Sequence, residues 1–219
     1  TMKKIALLIL VCVIGVSLSA YESGFVVFGG ATMSWASGRL SEADSKIGFH
    51  GGVSMEHFGI IPNTILETGL RFNMKGFDYV ERRSSGYQSS YYFFENISMS
   101  YVDFFAKVKL DIGNLPIYPY FGGYAAFLLS AQSEGQYGGD MGSYSWHEEW
   151  NKDAKDDLNT FDFGLLIGAD LVIKDKFYLG VGFDFGLSNF YTADITVGAS
   201  TDSVSSQTRG LLFSVGYIF

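Results

Sequence analysis

Cysteine, proline and long apolar runs are all scarce in this chain. Its 219 residues include 1 cysteine, Cys12, and 3 prolines. Cys12 lies inside the first apolar stretch, so the chain beyond it cannot rest on a disulfide framework. It follows Val11 and the stretch runs on past it, whereas a lipid-bearing cysteine would end its apolar stretch after small residues. Only residues 5 to 16 form an apolar run, and it is shorter than the ~20 residues that span a bilayer as a helix, which argues against a helical membrane protein. Positive charge is also short. Apart from Lys3 and Lys4, 13 basic residues face 23 acidic ones, a formal charge of −10 that argues against nucleic acid as a partner.

Met2, Lys3 and Lys4, the apolar run and then Ser17, Leu18, Ser19 and Ala20 form a secretory signal pattern. The expected organisation is a signal peptide over residues 1–20, cleaved near Ser19 or Ala20, and one domain over residues 21–219. The competing reading is an uncleaved N-terminal anchor, for which the run is short.

Hydrophobic residues make up 47% of the chain and aromatic ones 17%, so they must be dispersed by alternation. Phe25, Val27, Ala31, Met33 and Trp35 alternate with small or polar residues, and Ile47, Phe49, Val53 and Met55 oppose Gly48, His50, Gly52 and Ser54. Leu66, Leu70, Phe72 and Met74 oppose Glu67, Arg71, Asn73 and Lys75. Val102, Phe104, Ala106, Val108 and Leu110 oppose Tyr101, Asp103, Phe105, Lys107 and Lys109. A fifth segment, residues 118–130, is apolar and aromatic on both faces and has no readable orientation. Phe163, Leu165 and Ile167 then oppose Asp162, Gly164 and Asp170, and Leu179, Val181 and Phe183 oppose Gly180, Gly182 and Asp184. Leu211, Phe213, Val215, Tyr217 and Phe219 alternate to the last residue. Short connections (57–63, 112–117, 174–176) alternate with long ones (36–46, 80–94, 132–159, 189–207), as periplasmic turns and extracellular loops do.

In a bilayer a sheet must close on itself to satisfy its backbone. The expected fold is all-β: an eight-stranded antiparallel, up-and-down transmembrane barrel in the bacterial outer membrane, with outer-membrane lipid against its apolar face. Its narrow lumen must be filled by side chains. Glu67, Arg71, Lys75, Asp103, Lys107, Lys109, Asp162, Asp170 and Asp184 supply that filling, and their mixed signs point to a neutralising structural network. A soluble lipocalin-type barrel is the rival, but it would need an apolar interior. Trp35, Tyr79, Tyr101, Tyr118, Tyr178 and Tyr217 near strand ends suit interfacial girdles.

The runs LETGLRFNMKG (residues 66–76), YVDFFAK (101–107), YFGGY (120–124), FDFGLLIGA (161–169) and GYIF (216–219) resemble the PorT-like outer-membrane β-barrel family. That resemblance implies fold and location more than activity. Phe213, Val215, Tyr217 and Phe219 also resemble the terminal signal read by the barrel-assembly machinery during insertion, an expected partner.

Chemistry is harder to find. His50 falls on the lumen face, His57 in a turn and His147 beside Glu148 and Glu149, none in a catalytic or metal-binding constellation; no cofactor and no enzyme activity are expected. The 132–159 segment is acidic and carries Trp146 and Trp150, and the 80–94 segment offers Tyr91 and Tyr92. These aromatics form either a recognition surface for an envelope or extracellular partner, or strand extensions that pack on each other. The expected role is a membrane anchor or surface-interaction protein, with a place in an envelope or secretion assembly open. The alternatives are a narrow porin-like channel or a lipid-modifying enzyme.

Overall fold

The computed structural model describes residues 22–38, 43–58, 60–85, 89–113, 115–141, 144–190, 194–197, 200–203 and 206–219. The expected signal peptide lies outside them. The alternating segments form strands: β1 (Glu22–Gly38), β2 (Asp44–Phe58), β3 (Thr64–Ser85), β4 (Ser89–Leu110), β5 (Ile117–Met141), β6 (Tyr144–Asp153), β7 (Phe161–Ile173), β8 (Phe177–Gly186), β9 (Asp194–Val197), β10 (Ser200–Ser203) and β11 (Ser206–Ile218).

Eight of these close a ring in the order β1, β2, β3, β4, β5, β7, β8, β11, with β11 returning to β1 and every neighbour antiparallel. No stave of the ring is left with an open edge at barrel level, the condition for a sheet in hydrocarbon. Burial is inverted relative to a soluble barrel: Ile47 is 78% and Val215 59% exposed, while Lys109 is 2% and Glu67 1%. The alternation therefore places apolar residues outside and charge inside, and the lipocalin alternative fails.

β5 reads as two-faced because its inward residues Tyr120, Tyr124, Ala126 and Leu128 are aromatic or apolar where other staves carry charge, and an irregularity then breaks its period. Tyr101 pairs with Leu128 and Ser100 with Ser130, which leaves Leu129 as an extra residue. Before it Tyr124, Ala126 and Leu128 point inward. After it the inward set is Ala131 and Ser133, so no single period of two runs through the strand.

The short connections fall close to where the sequence puts them, except that His57 is not in a turn but buried in β2, which runs to Phe58; two of the long loops are corrected. Residues 80–94 do not form a loop: β3 and β4 stay in register from Val80 opposite Phe94 to Ser85 opposite Ser89. Residues 132–159 are mostly strand as well, because β5 continues to Met141 and folds back as β6, with Gln132 opposite Asp153 and Met141 opposite Tyr144. Alternation persists here while its chemistry changes from apolar and charged to aromatic and charged, so what ends is the lipid-facing pattern and not the strand. β3, β4, β5 and β6 thus rise past the barrel as a four-stranded blade. The 36–46 connection is also shorter than expected, since β1 runs to Gly38 and β2 starts at Asp44.

Candidate functional site

The lumen is built in layers by inward positions. At the end with the short connections Lys109 Nζ lies 2.6 Å from Glu56, 2.5 Å from Glu67 and 2.9 Å from Asp170, and Lys107 Nζ lies 3.2 Å from Glu67 and 3.1 Å from Asp170. Midway, Arg71 Nη2 donates to Asp103 at 2.6 Å and to Asp184 at 2.8 Å. His50 bridges Thr32 (3.0 Å) and Ser214 (2.8 Å) beside this layer. Above it Lys75 donates to Asp162 at 3.2 Å and sits 4.5 Å over the Tyr124 ring. All nine charged residues expected in the lumen are brought together there, each less than a tenth exposed. A buried charge without a partner costs several kcal/mol, and these pairings offset that cost.

Sequence reasoning missed Glu56, which shares an inward parity with His50 and Ser54 and closes the Lys109 layer. Tyr101 and Tyr178, expected in interfacial girdles, are instead at most 3% exposed inside the barrel, and Tyr120 joins them: Lys107 Nζ lies 4.4 Å over the Tyr120 ring, and Lys109 Nζ lies 5.5 Å from that of Tyr178. A residual cavity of about 40 Å³ remains among Arg71, Lys107, Tyr120 and Asp184. That is room for isolated waters and not for a solute path.

Above Lys75 the filling turns apolar. Phe77, Ile97, Met99 and Leu128, each at most 2% exposed, pack with Leu158 and Phe190 across the outer mouth, and the rings of Phe77 and Phe190 are 5.3 Å apart. No periodicity marks this plug, because Phe77, Ile97 and Met99 simply continue the inward columns of β3 and β4.

The blade has two faces. On the face that continues the lumen columns, the ring of Phe93 lies 5.4 Å from that of Trp150 and 6.1 Å from that of Tyr79, and Trp150 Nε1 donates to Ser133 Oγ at 3.1 Å. Tyr137 donates to Glu148, a bond that raises its pKa because the carboxylate favours the protonated phenol. Trp146 stacks on Tyr144 at 6.1 Å. On the other face Tyr92 stacks on His147 at 6.1 Å with its hydroxyl 2.5 Å from Nδ1, and Glu149 meets Nε2 at 2.8 Å. Of the four aromatics expected to recognise a partner, Trp150 and Tyr92 are thus braced on opposite faces, Trp146 is half-buried, and Tyr91 is 37% exposed.

Phe213, Val215 and Phe219 are exposed on the outer wall and Tyr217 is half-buried there, its ring 4.7 Å from that of Phe219. An apolar wall around a charge-packed lumen is the arrangement of an outer-membrane barrel, and the family model of the outer membrane protein beta-barrel domain matches residues 15–192. The chain belongs to that family. Outer membrane protein beta-barrel domains are set in the outer membrane, and that is this chain's location. Among solved structures it is similar to Neisserial surface protein A (NspA), at 15% identity over 90% of this chain and 100% of that one, with a TM-score of 0.49. Ail, the attachment invasion locus protein of Yersinia pestis, is 10% identical over 90% and 99%, with a TM-score of 0.42. CarO2 of Acinetobacter baumannii is 11% identical over 89% and 99%, with a TM-score of 0.40. Comparison with curated proteins found no match.

Proposed function

We propose that this outer-membrane barrel is a sealed anchor that holds a rigid β-blade at the cell surface for recognition of an extracellular or envelope partner. The observation that carries this reading is the apolar plug of Phe77, Ile97, Met99, Leu128 and Phe190, above which β3 to β6 continue as ordered strands. A porin-like channel would need a continuous water path through three charged layers and that plug. A lipid-modifying enzyme would need a nucleophile beside a histidine that lipid can reach: His50 meets Ser214 and Thr32 but is 3% exposed inside the packed lumen, and the ring nitrogens of His147 engage Tyr92 and Glu149.

The proposal includes export by a leader cut near Ser19 or Ala20, insertion by an assembly machinery that reads Phe213, Val215, Tyr217 and Phe219, and kinship with PorT-like barrels. It rests for these on the sequence patterns alone. A photo-crosslinking amino acid placed at Tyr91 or Trp146, and as a control at lipid-facing Phe163, tests the reading on intact cells. Protein adducts from the two blade positions and none from Phe163 are expected. Stepwise conductance of the purified protein in planar bilayers, or blade positions as silent as Phe163, would sink it.

A further inference from the structure

The outward column of each stave is lipid-facing at barrel level. On β3 it runs Leu66, Leu70, Phe72, Met74, and on β4 Leu110, Val108, Phe104, Val102. A polar ring follows, with Asp78 opposite Asn96. Beyond that ring the same outward columns become apolar again: Val80 pairs with Phe94, Arg82 with Tyr92, and Phe94 with Gln136. These five residues line an open groove of about 770 Å³ on the outer face of the blade. From Met74 to Val80 is six residues, about 15 Å of height for strands rising ~3.3 Å per residue at a tilt of roughly 40°. The groove therefore stands at the level of lipid headgroups, directly above the hydrocarbon belt and on the same strands.

Its chemistry is that of a sugar site. Sugar rings present apolar C–H faces and a rim of hydroxyls. The first suits the Phe94 and Tyr92 rings, and the second suits the Gln136 amide and the Arg82 guanidinium. The Tyr92 ring is held in place by His147, so little ordering is left to be done on binding. Arg82 is exposed and has no ion-pair partner among the described residues. On the opposite face Phe93 packs on Trp150 while Tyr144 stays 68% exposed toward the tip, so the groove is a second open surface of the blade, distinct from that one.

We infer that this groove binds the sugar headgroup of an outer-leaflet glycolipid whose acyl chains lie against the barrel below it. Continuity with the lipid belt selects a membrane glycolipid over a free glycan. The inference is separate from the proposed partner of the blade.

The test uses the full chain in phosphatidylcholine nanodiscs doped with lipopolysaccharide that carries its core sugars, with co-retained lipid counted by native mass spectrometry. A parallel arm offers the same core oligosaccharide freed of its lipid. Wild type is expected to retain the lipopolysaccharide and to hold the free oligosaccharide at least tenfold more weakly. Arg82→Gln and Phe94→Ser should each lower retention about tenfold while keeping heat-modifiable gel migration; Arg82→Gln guards against misfolding, since it alters an exposed side chain. Retention unchanged in both variants, no retention by wild type, or equal affinity for the free oligosaccharide would overturn the inference.

Discussion

The Trp150 indole lies across Gly135 on the neighbouring strand: a Cβ added to that glycine would meet Trp150 Cζ2 at 2.2 Å and the Phe94 carbonyl oxygen at 2.4 Å. Only a residue without a side chain lets the ring lie flat on the sheet, where it also packs against Phe93 and Tyr137. Gly135→Val should therefore lift Trp150 from the blade while leaving the barrel, whose β5 partners below Ala131 are unaffected, intact. Near-UV circular dichroism and limited proteolysis should report a loosened blade at unchanged heat-modifiable migration. Loss of the folded barrel band would show that blade and barrel fold as one unit.

Arg71 is the only cation hydrogen-bonded to Asp103 and Asp184 among the described residues, and both carboxylates are at most 1% exposed. Arg71→Leu leaves two buried carboxylates without their cation, a loss of about 3–5 kcal/mol by the rule for breaking buried pairs. Adding Asp103→Asn and Asp184→Asn should recover most of it, because the neutral amides need no counter-charge. Urea unfolding in lipid vesicles measures both steps. A single variant within 1 kcal/mol of wild type would show that water already screens this layer.

The barrel and its charged filling were legible because one physical rule, apolar toward lipid and charge toward the lumen, acts on every second residue of Leu66 to Lys75 and of Tyr101 to Asp111. The rule gives faces and staves but not partners. That Lys109 meets Glu56 depends on the register of β2, β3 and β4, and that Arg71 meets Asp184 on how the ring closes; no single strand encodes either. The rule also stops at the membrane surface. Val80 to Phe94 lost the lipid signature and read as a loop, although Tyr91, Tyr92, Phe93 and Phe94 are strong strand formers and stay in register with β3 and β5. In β5 the inward Tyr124, Ala126 and Leu128 are as apolar as the outward Phe121 and Phe127, which hid the orientation, and beyond them the extra residue Leu129 shifts the inward parity from Leu128 to Ala131.

The plug supplies a third prediction. Phe77 is 1% exposed and packs on Phe190, so Phe77→Ala should cost about 3–5 kcal/mol through lost burial and the cavity left behind. Amide exchange around Lys75 should speed up as water reaches that layer from outside. Conductance should stay absent, because the Arg71 and Lys109 layers still cross the lumen. Single-channel steps in this variant would mean that the plug alone seals the barrel.

The tight turn between β7 and β8 carries the last. Lys174 and Asp175 both adopt left-handed backbone, with φ of 53° and 56°, and Lys176 N–H donates to the Ile173 carbonyl at 3.3 Å. Lys174 and Asp175 are the central residues of a turn from Ile173 to Lys176, within a three-residue connection closed by the pair Ile173 and Phe177; left-handed backbone at both suits Asn followed by Gly, and an L side chain costs ~1–2 kcal/mol for each such residue. Replacing Lys174→Asn together with Asp175→Gly relieves most of that strain, offset in part by the greater freedom that glycine gives the unfolded chain. A net gain of about 1 kcal/mol is expected, seen as a higher urea midpoint and a higher temperature for loss of the compact gel band. Both side chains are exposed at the end of the barrel away from the blade, so neither lumen nor groove is touched. A lower midpoint in the double variant would mean that the lysine and aspartate side chains hold this turn, and not its backbone geometry.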